Sequence, residues 1–298
     1  MTAESIDICI CTYRRAHLAD TLRTIFAQKT PPELALRVIV ADNDTEPSAR
    51  TLVEDLARDA PFAVVYVHAP ERNISIARNA CLDNAQGDWA AFIDDDEIAP
   101  PDWIATLWQA ARADNLDVVF GPVIAEYPEE TPSWIREGDY HSSHVPVHGG
   151  TVSTGHSGNV LMRWTGSPIA NERFRLESGR TGGEDVEFFF RLSRTGQRLG
   201  NCNAARLYEI PSVARLTYSW IRQRRFAAGQ FHGAYSKTSS LFQRLALLAS
   251  SGAKLVLSIT AAAALFWNRP AHRRWVARGC FHAGVCAAVM GIGQVELY

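Results

Sequence analysis

Residues 88–97 read Asp-Trp-Ala-Ala-Phe-Ile-Asp-Asp-Asp-Glu, an apolar run of strand length that ends in four consecutive acids, Asp94, Asp95, Asp96 and Glu97. Carboxylates crowded at the end of a buried strand repel one another and are short of water. A hard cation with oxygen ligands relieves both conditions and can hold a phosphate at the same time. Taken alone, such a run reads as a solvated acidic turn ahead of Pro100 and Pro101, so its surroundings decide between the readings. Side chains alternate along a strand, so Asp94 and Asp96 are expected to share a face while Asp95 and Glu97 point away.

Short stretches rich in Val and Ile alternate with helix-length segments through the N-terminal part of the chain. Strands are expected at 6–11, 36–41, 62–67, 89–94 and 117–120, and helices at 17–28, 47–59, 74–86 and 101–114. This is the pattern of βαβ units, and it predicts an α/β fold with a mostly parallel sheet flanked by helices. Ligands of such sheets bind beyond the carboxyl ends of the strands. Three polar clusters fall there: Thr12, Tyr13, Arg14 and Arg15 after the first strand, Asp42, Asn43 and Asp44 after the second, and the four acids after the fourth. No Gly-rich dinucleotide fingerprint or P-loop follows the first strand, so a nucleotide bound at this edge has to be gripped by side chains and a metal.

Further along, residues 121–155 look irregular, with Pro122, Pro128, Pro132 and Pro146 and the Gly149-Gly150 pair. A loop of that length in a compact domain is usually functional or mobile. His141, His144 and His148 within it are a poor zinc set, because Pro146 breaks any helix that would align them and no Cys or close acid completes the ligands. Gly182 and Gly183 precede Glu184 and Asp185, which open a helix ending near Gly196. A strand-like stretch at 199–210 and a helix at 220–231 carrying Arg222, Arg224 and Arg225 follow.

The whole-chain charge of −2 hides an asymmetry, for residues 211–298 hold eleven Lys and Arg against the single acid Glu296. These basic residues are interleaved with aliphatic stretches rather than with stacking aromatics, which favours an anionic membrane surface and speaks against nucleic acid. The uncharged runs at 255–268 and 279–295 fall short of the roughly 20 apolar residues of a spanning helix. A helical hairpin lying in the interface is therefore expected, with Arg269, Arg273, Arg274 and Arg278 at its turn; a soluble helical subdomain or a dimer interface is the alternative. The first residues show neither a basic n-region nor an apolar h-region, and the six cysteines form no CxxC pair. Both features predict a cytoplasmic protein, peripheral on the inner face of the plasma membrane.

Taken together, six motifs resemble the family 2 glycosyltransferases of the GT-A fold, and more narrowly the bacterial transferases that assemble succinoglycan-type exopolysaccharides. They are Ile8-Cys-Ile-Cys-Thr-Tyr-Arg-Arg, Val38-Ile-Val-Ala-Asp-Asn, Arg72-Asn with Ala77-Arg-Asn-Ala, Gly87-Asp-Trp-Ala-Ala-Phe-Ile-Asp-Asp-Asp-Glu, Gly158-Asn-Val-Leu and Gly183-Glu-Asp. The likeness covers about residues 5–235. It implies a GT-A nucleotide-sugar-binding and catalytic domain over 1–235, and the basic, apolar tail is expected to form a helical, membrane-associated segment over 236–298.

The resemblance further implies an inverting, metal-dependent transfer of a hexose from a UDP-sugar to a lipid-linked oligosaccharide or exopolysaccharide precursor. Asp94 and Asp96 correspond to the DxD motif that holds Mg2+ or Mn2+, with Asp96 the direct ligand and Asp94 nearer the ribose. Asp185 matches the position of the catalytic base, and Glu184 is the alternative base or an acceptor-orienting group. The donor is expected to meet Thr12, Tyr13, Arg15, Asp42, Arg78, Asp94 and Asp95. Among these, Tyr13 is suited to stack on uracil, Asp42 to accept from the imide N–H, and Arg78 to reach the base or the diphosphate.

Two positions depart from the family pattern. Arg222-Gln-Arg-Arg-Phe226 ends in Phe where processive relatives carry Trp, which favours addition of one sugar at a time. Glu209 stands near where many relatives place a His, and its role stays open. Competing readings are a sugar-nucleotide pyrophosphorylase, which usually needs a Gly-rich phosphate loop that residues 12–15 do not supply, and a non-catalytic membrane-associated nucleotide-sugar-binding protein.

Overall fold

The computed structural model describes residues 3–179, 182–235 and 240–293. The chain opens with β1 (Glu4–Thr12), α1 (Leu18–Phe26), β2 (Leu34–Asp42), α2 (Arg50–Ala57), β3 (Val64–His68), α3 (Ile74–Asn84) and β4 (Trp89–Asp94). Next come the short β5 (Glu97–Ile98), then α4 (Trp103–Ala113), β6 (Val118–Phe120) and β7 (Val123–Ala125). The irregular region contains α5 (Ser133–Gly138), β8 (Val147–His148) and β9 (Thr151–Val152), and it leads to β10 (Asn159–Arg163). After that stand α6 (Glu184–Arg194), β11 (Leu199–Asn201), β12 (Leu207–Glu209), α7 (Tyr218–Tyr235), α8 (Leu241–Ala264) and α9 (Arg269–Val289).

The chain folds into two compact units, residues 1–126, 142–180 and 184–210 in the first, and 127–141, 181–183 and 211–298 in the second. The first is an α/β body around a seven-stranded sheet of order β11-β6-β10-β4-β1-β2-β3. Its strands are parallel except β10, which runs antiparallel to both β4 and β6. β1 lies near the middle and is buried on both faces. Ile6, Ile8 and Ile10 join the core on one side of the sheet, while Cys9 and Cys11 join the core on the other. That is why the strand is apolar on both faces from Ile8 to Cys11 rather than alternating.

Register fixes the functional edge. Thr12 pairs with Asp42, Cys11 with Asp94, and Asp42 with His68, so the polar clusters after β1, β2 and β4 reach one level at the carboxyl ends of neighbouring strands. At the opposite end Asp7 is buried and accepts bonds from Arg37 and from the N–H groups of Gln86 and Gly87, tying β1 to β2 and to the turn before β4.

One expectation about the acidic run does not hold. β4 ends at Asp94, Asp95 and Asp96 form a turn, and Glu97 starts β5, so face alternation stops before it can separate the four acids. The Glu97 carboxylate folds back instead and accepts the Asp94 N–H at 2.9 Å.

The second unit is helical, and α7 belongs to it. The cause is close backbone approach between α7 and α9. A Cβ added to Gly229 would strike the Phe281 carbonyl oxygen, and one added to Gly284 would strike that of Phe226. α8 runs unbroken through Arg244 and Lys254 for 24 residues, so it is long and apolar enough to cross a membrane by length and composition, unlike the shorter uncharged run counted from Lys254 onward.

Candidate active site

At the sheet edge, Tyr13 projects from the end of β1 and is 39% exposed. The guanidinium groups of Arg14 and Arg72 each lie 5.5 Å from its ring centroid. Both arginines sit in left-handed backbone, with φ of 53° and 46°. Arg14 also donates to Asp44 at 2.7 Å, and that bond holds the buried Asp44 carboxyl down at about 2. Asp42 is fully buried. One of its oxygens accepts from the Tyr66 hydroxyl and the Ala49 N–H, both at 2.8 Å, and the other accepts from the Asp44 N–H at 3.1 Å. The carboxylate expected to read the base thus organises the loop after β2.

Beside this edge lies the acid cluster. Arg15 approaches Asp95 at 3.7 Å and Asp96 at 3.5 Å. Burial lifts Asp94 to about 6, with Arg78 opposing and Asp96, Asp185 and Glu184 adding repulsion. Burial also lifts Asp95 to about 7. The Thr12 hydroxyl lies close enough to favour ionised Asp95 without hydrogen-bond geometry, and the buried atoms Thr12 Oγ1 and Asp95 Oδ2 have no hydrogen-bond partner. Glu97 is raised well above the usual carboxylate range by burial and by Asp94. Gly158 closes over this group: a Cβ there would lie 2.8 Å from Glu97 Oε1 and 3.2 Å from Asp94 Oδ2.

Helix α3 supplies the third part. Asn73 caps it, accepting from the Ser75 N–H and donating to the Leu176 carbonyl. Asn79 exchanges two bonds with the Phe174 backbone, so the segment leading toward α6 is pinned along α3. One turn into the helix, Arg78 is buried and forms an ion pair with Glu184, the first residue of α6. Burial works to lower the Arg78 pKa, but Glu184, Asp185 and Asp94 outweigh it and raise the value. Burial raises Glu184 against the pull of Arg78, and Glu184 Oε2 has no hydrogen-bond partner. Asp185 is only half-buried, and one of its oxygens accepts the Val186 N–H at 2.7 Å at the positive end of the helix dipole. So Arg78, expected on the donor, is engaged by Glu184. Of the two adjacent acids, Asp185 is the more accessible.

A model of the family described as Glycosyl transferase family 2 matches residues 7–165, the segment that holds β1, the acid cluster and β10. The chain belongs to this family. It is 42% identical over 295 residues to the succinoglycan biosynthesis protein ExoM of Rhizobium meliloti, covering 98% of this chain and 95% of that protein. It is 33% identical over 140 residues to a glucosyl-dolichyl phosphate glucuronosyltransferase of Haloferax volcanii, which is 45% of this chain and 43% of that one. Among solved structures, a mannosyltransferase from Pyrobaculum calidifontis in complex with GDP-Man and Mn2+ matches with a TM-score of 0.66 at 17% identity, over 97% of this chain and 87% of the other. The fold is GT-A, and the protein is a family 2 glycosyltransferase resembling the exopolysaccharide type.

For this glycosyltransferase the acid cluster suits a hard divalent cation. Its donors are carboxylate oxygens, buried at Asp95 and Glu97 and partly buried at Asp94 and Asp96, and their mutual repulsion adds to the rise at Asp94 and Asp95. Among the described residues no group of three or more His, Cys, Asp or Glu side chains is placed to hold a metal ion by itself. Three participants were not foreseen as site residues from sequence: Arg72 over Tyr13, Glu97 under Asp94, and Gly158 against both acids. Arg72 and Gly158 stand within the family-like motifs, and Glu97 ends the acidic run, but nothing local shows which atoms they face.

Proposed function

We propose that this glycosyltransferase is an inverting, metal-dependent enzyme that moves a hexose from a UDP-sugar to a lipid-linked oligosaccharide or exopolysaccharide precursor at the cytoplasmic face of the membrane. The observation that carries the reading is the convergence of Asp94 with the Glu184–Asp185 pair around the buried Arg78, with Asp96 beside Asp94. Near-full-length likeness to a succinoglycan biosynthesis protein supports the polysaccharide context. A relative named for action on a glucosyl-dolichyl phosphate supports a lipid-linked acceptor.

Asp96 and Asp94 would hold Mg2+ or Mn2+, which acts as a Lewis acid on the diphosphate leaving group. Tyr13, flanked by Arg14 and Arg72, offers its ring to the base, and Arg15 brings positive charge to the diphosphate side. A sugar hydroxyl is a weak nucleophile, so Asp185 removes its proton as it attacks the anomeric carbon from the face opposite the nucleotide. That single displacement inverts the anomeric configuration. Arg78 neutralises Glu184 and leaves Asp185 as the base.

Calorimetry with a panel of UDP-, GDP- and TDP-hexoses, with Mn2+ and again with excess EDTA, tests the reading. Metal-dependent binding confined to UDP-sugars is the expected result. Preference for another base, or binding indifferent to EDTA, would refute the donor or the metal assignment respectively.

A further inference from the structure

Helix α8 is packed inside out. Its fully buried positions are Ser251, Ser258 and Ala262, which share one stripe, while its large apolar side chains face outward. Phe242 is 78% exposed, Val256 61%, Ile259 59%, and at the following turn Phe266 and Trp267 are 70% and 69%. A helix in water does the reverse, turning its apolar stripe inward. Small residues on the packed side with bulky apolar ones outside is the distribution of a helix whose outer solvent is lipid.

The neighbouring charge says which lipid. Trp267 is followed, two residues on, by the exposed Arg269. On α9, Ala271, Arg274, Trp275 and Arg278 line a shallow hollow of about 340 Å³ with both guanidinium groups exposed. Arginine forks beside an indole suit a phosphate at the edge of an apolar phase. A second copy of this chain fits the face poorly, since pairing would bring two segments with eleven basic residues and one acid each against one another.

We propose that the outer face of α8, together with the Arg274–Arg278 hollow of α9, is the surface by which this protein docks on an anionic bilayer, with α8 lying along the membrane plane rather than crossing it. The inference rests on the membrane-side reading above and specifies the contact. α8 is about 36 Å long. Lys254 sits exposed at mid-helix, and the stripe through Ser258 packs beside Gly279 of α9, whose first half carries four arginines, so neither helix threads the hydrocarbon without burying charge.

Flotation of the purified full chain with vesicles of phosphatidylcholine, alone or mixed with phosphatidylglycerol, tests the proposal, with Mn2+-dependent UDP binding measured in parallel. Wild type is expected to float with the anionic vesicles. Phe266→Asp/Trp267→Asp should lower partitioning about tenfold or more while UDP binding persists. Arg274→Gln/Arg278→Gln should erase the preference for anionic over neutral vesicles. Failure of wild type to float, or flotation untouched by both pairs, would overturn the proposal. A lipid-free dimer that the aromatic substitutions split in sedimentation would overturn it too, assigning the face to a second copy. Absent UDP binding with flotation as expected would instead sink the donor reading and leave the surface standing.

Discussion

Replacing Arg78 with Met separates two roles that the residue could have, contact with the donor and support of the catalytic acids. Both partners of the Arg78–Glu184 pair are shielded, with 8% and 7% of their side-chain surface exposed, so solvent does little to screen the loss. Removing one member of a buried pair leaves the other charge uncompensated and costs about 3–5 kcal/mol. Taking both away, as Arg78→Met/Glu184→Leu, should recover most of that, giving a coupling of about 2–3 kcal/mol in a double-mutant cycle.

The penalty also depends on pH. In the single variant the Glu184 carboxyl, already raised by burial, loses the charge that opposed the rise. The folded state then binds a proton more tightly than the unfolded one. The penalty is therefore nearly absent below the unfolded carboxyl value of about 4.3 and grows as pH climbs through the folded value. Urea unfolding at pH 5 and 7.5, followed by tryptophan fluorescence, reads both effects, and the double variant should still bind UDP with Mn2+ while its kcat falls. Loss of UDP binding in Arg78→Met, with stability unchanged within 1 kcal/mol or so, would refute the support role and return Arg78 to the donor.

Asp96→Ala should abolish the Mn2+-dependent part of UDP binding in calorimetry, whereas retained metal dependence would move the cation elsewhere. Because Asp94 and Asp95 hold protons up to about 6 and about 7, a cation bound at this cluster as proposed would have to displace them. Metal-dependent affinity should then rise about tenfold per pH unit for each proton displaced between pH 5 and 7, and level off above pH 8; a flat profile would contradict these assignments. Gly158→Ala places a methyl 2.8 Å from Glu97 Oε1 and should lower kcat/KM about tenfold or more by pushing the acids apart, so wild-type kinetics would show that the strand edge has more room.

Much of the fold was legible because β1, β2 and β4 are covered on both faces and read as largely apolar runs, interrupted by the paired Asp7 and Arg37. β4 lies at 89–94, as the sequence indicates. The antiparallel β10 was not, since five residues between irregular segments carry no sign of direction. Short β7 escaped for the same reason, and the strand-like stretch at 199–210 is two strands, β11 and β12, the second paired with β7 84 residues away. Within the site, the residue types were readable but the partners were not. The Arg78–Glu184 contact spans 106 positions, and Asp42 looks identical in sequence whether it faces a base or, as here, Tyr66 and the Ala49 amide. In the tail, a count of uncharged residues stops at Lys254, whereas the helix continues through it with the ammonium at its exposed side.

The central claim is that Asp185 takes the acceptor proton while the donor is held by other groups, and Asp185→Asn tests it most directly. Turnover and UDP affinity measured on the same preparation should part company, turnover falling by about 10²- to 10⁴-fold while affinity stays at the wild-type level. Turnover that survives the change would remove Asp185 from the chemistry, and a matching loss of UDP affinity would make it a donor ligand instead.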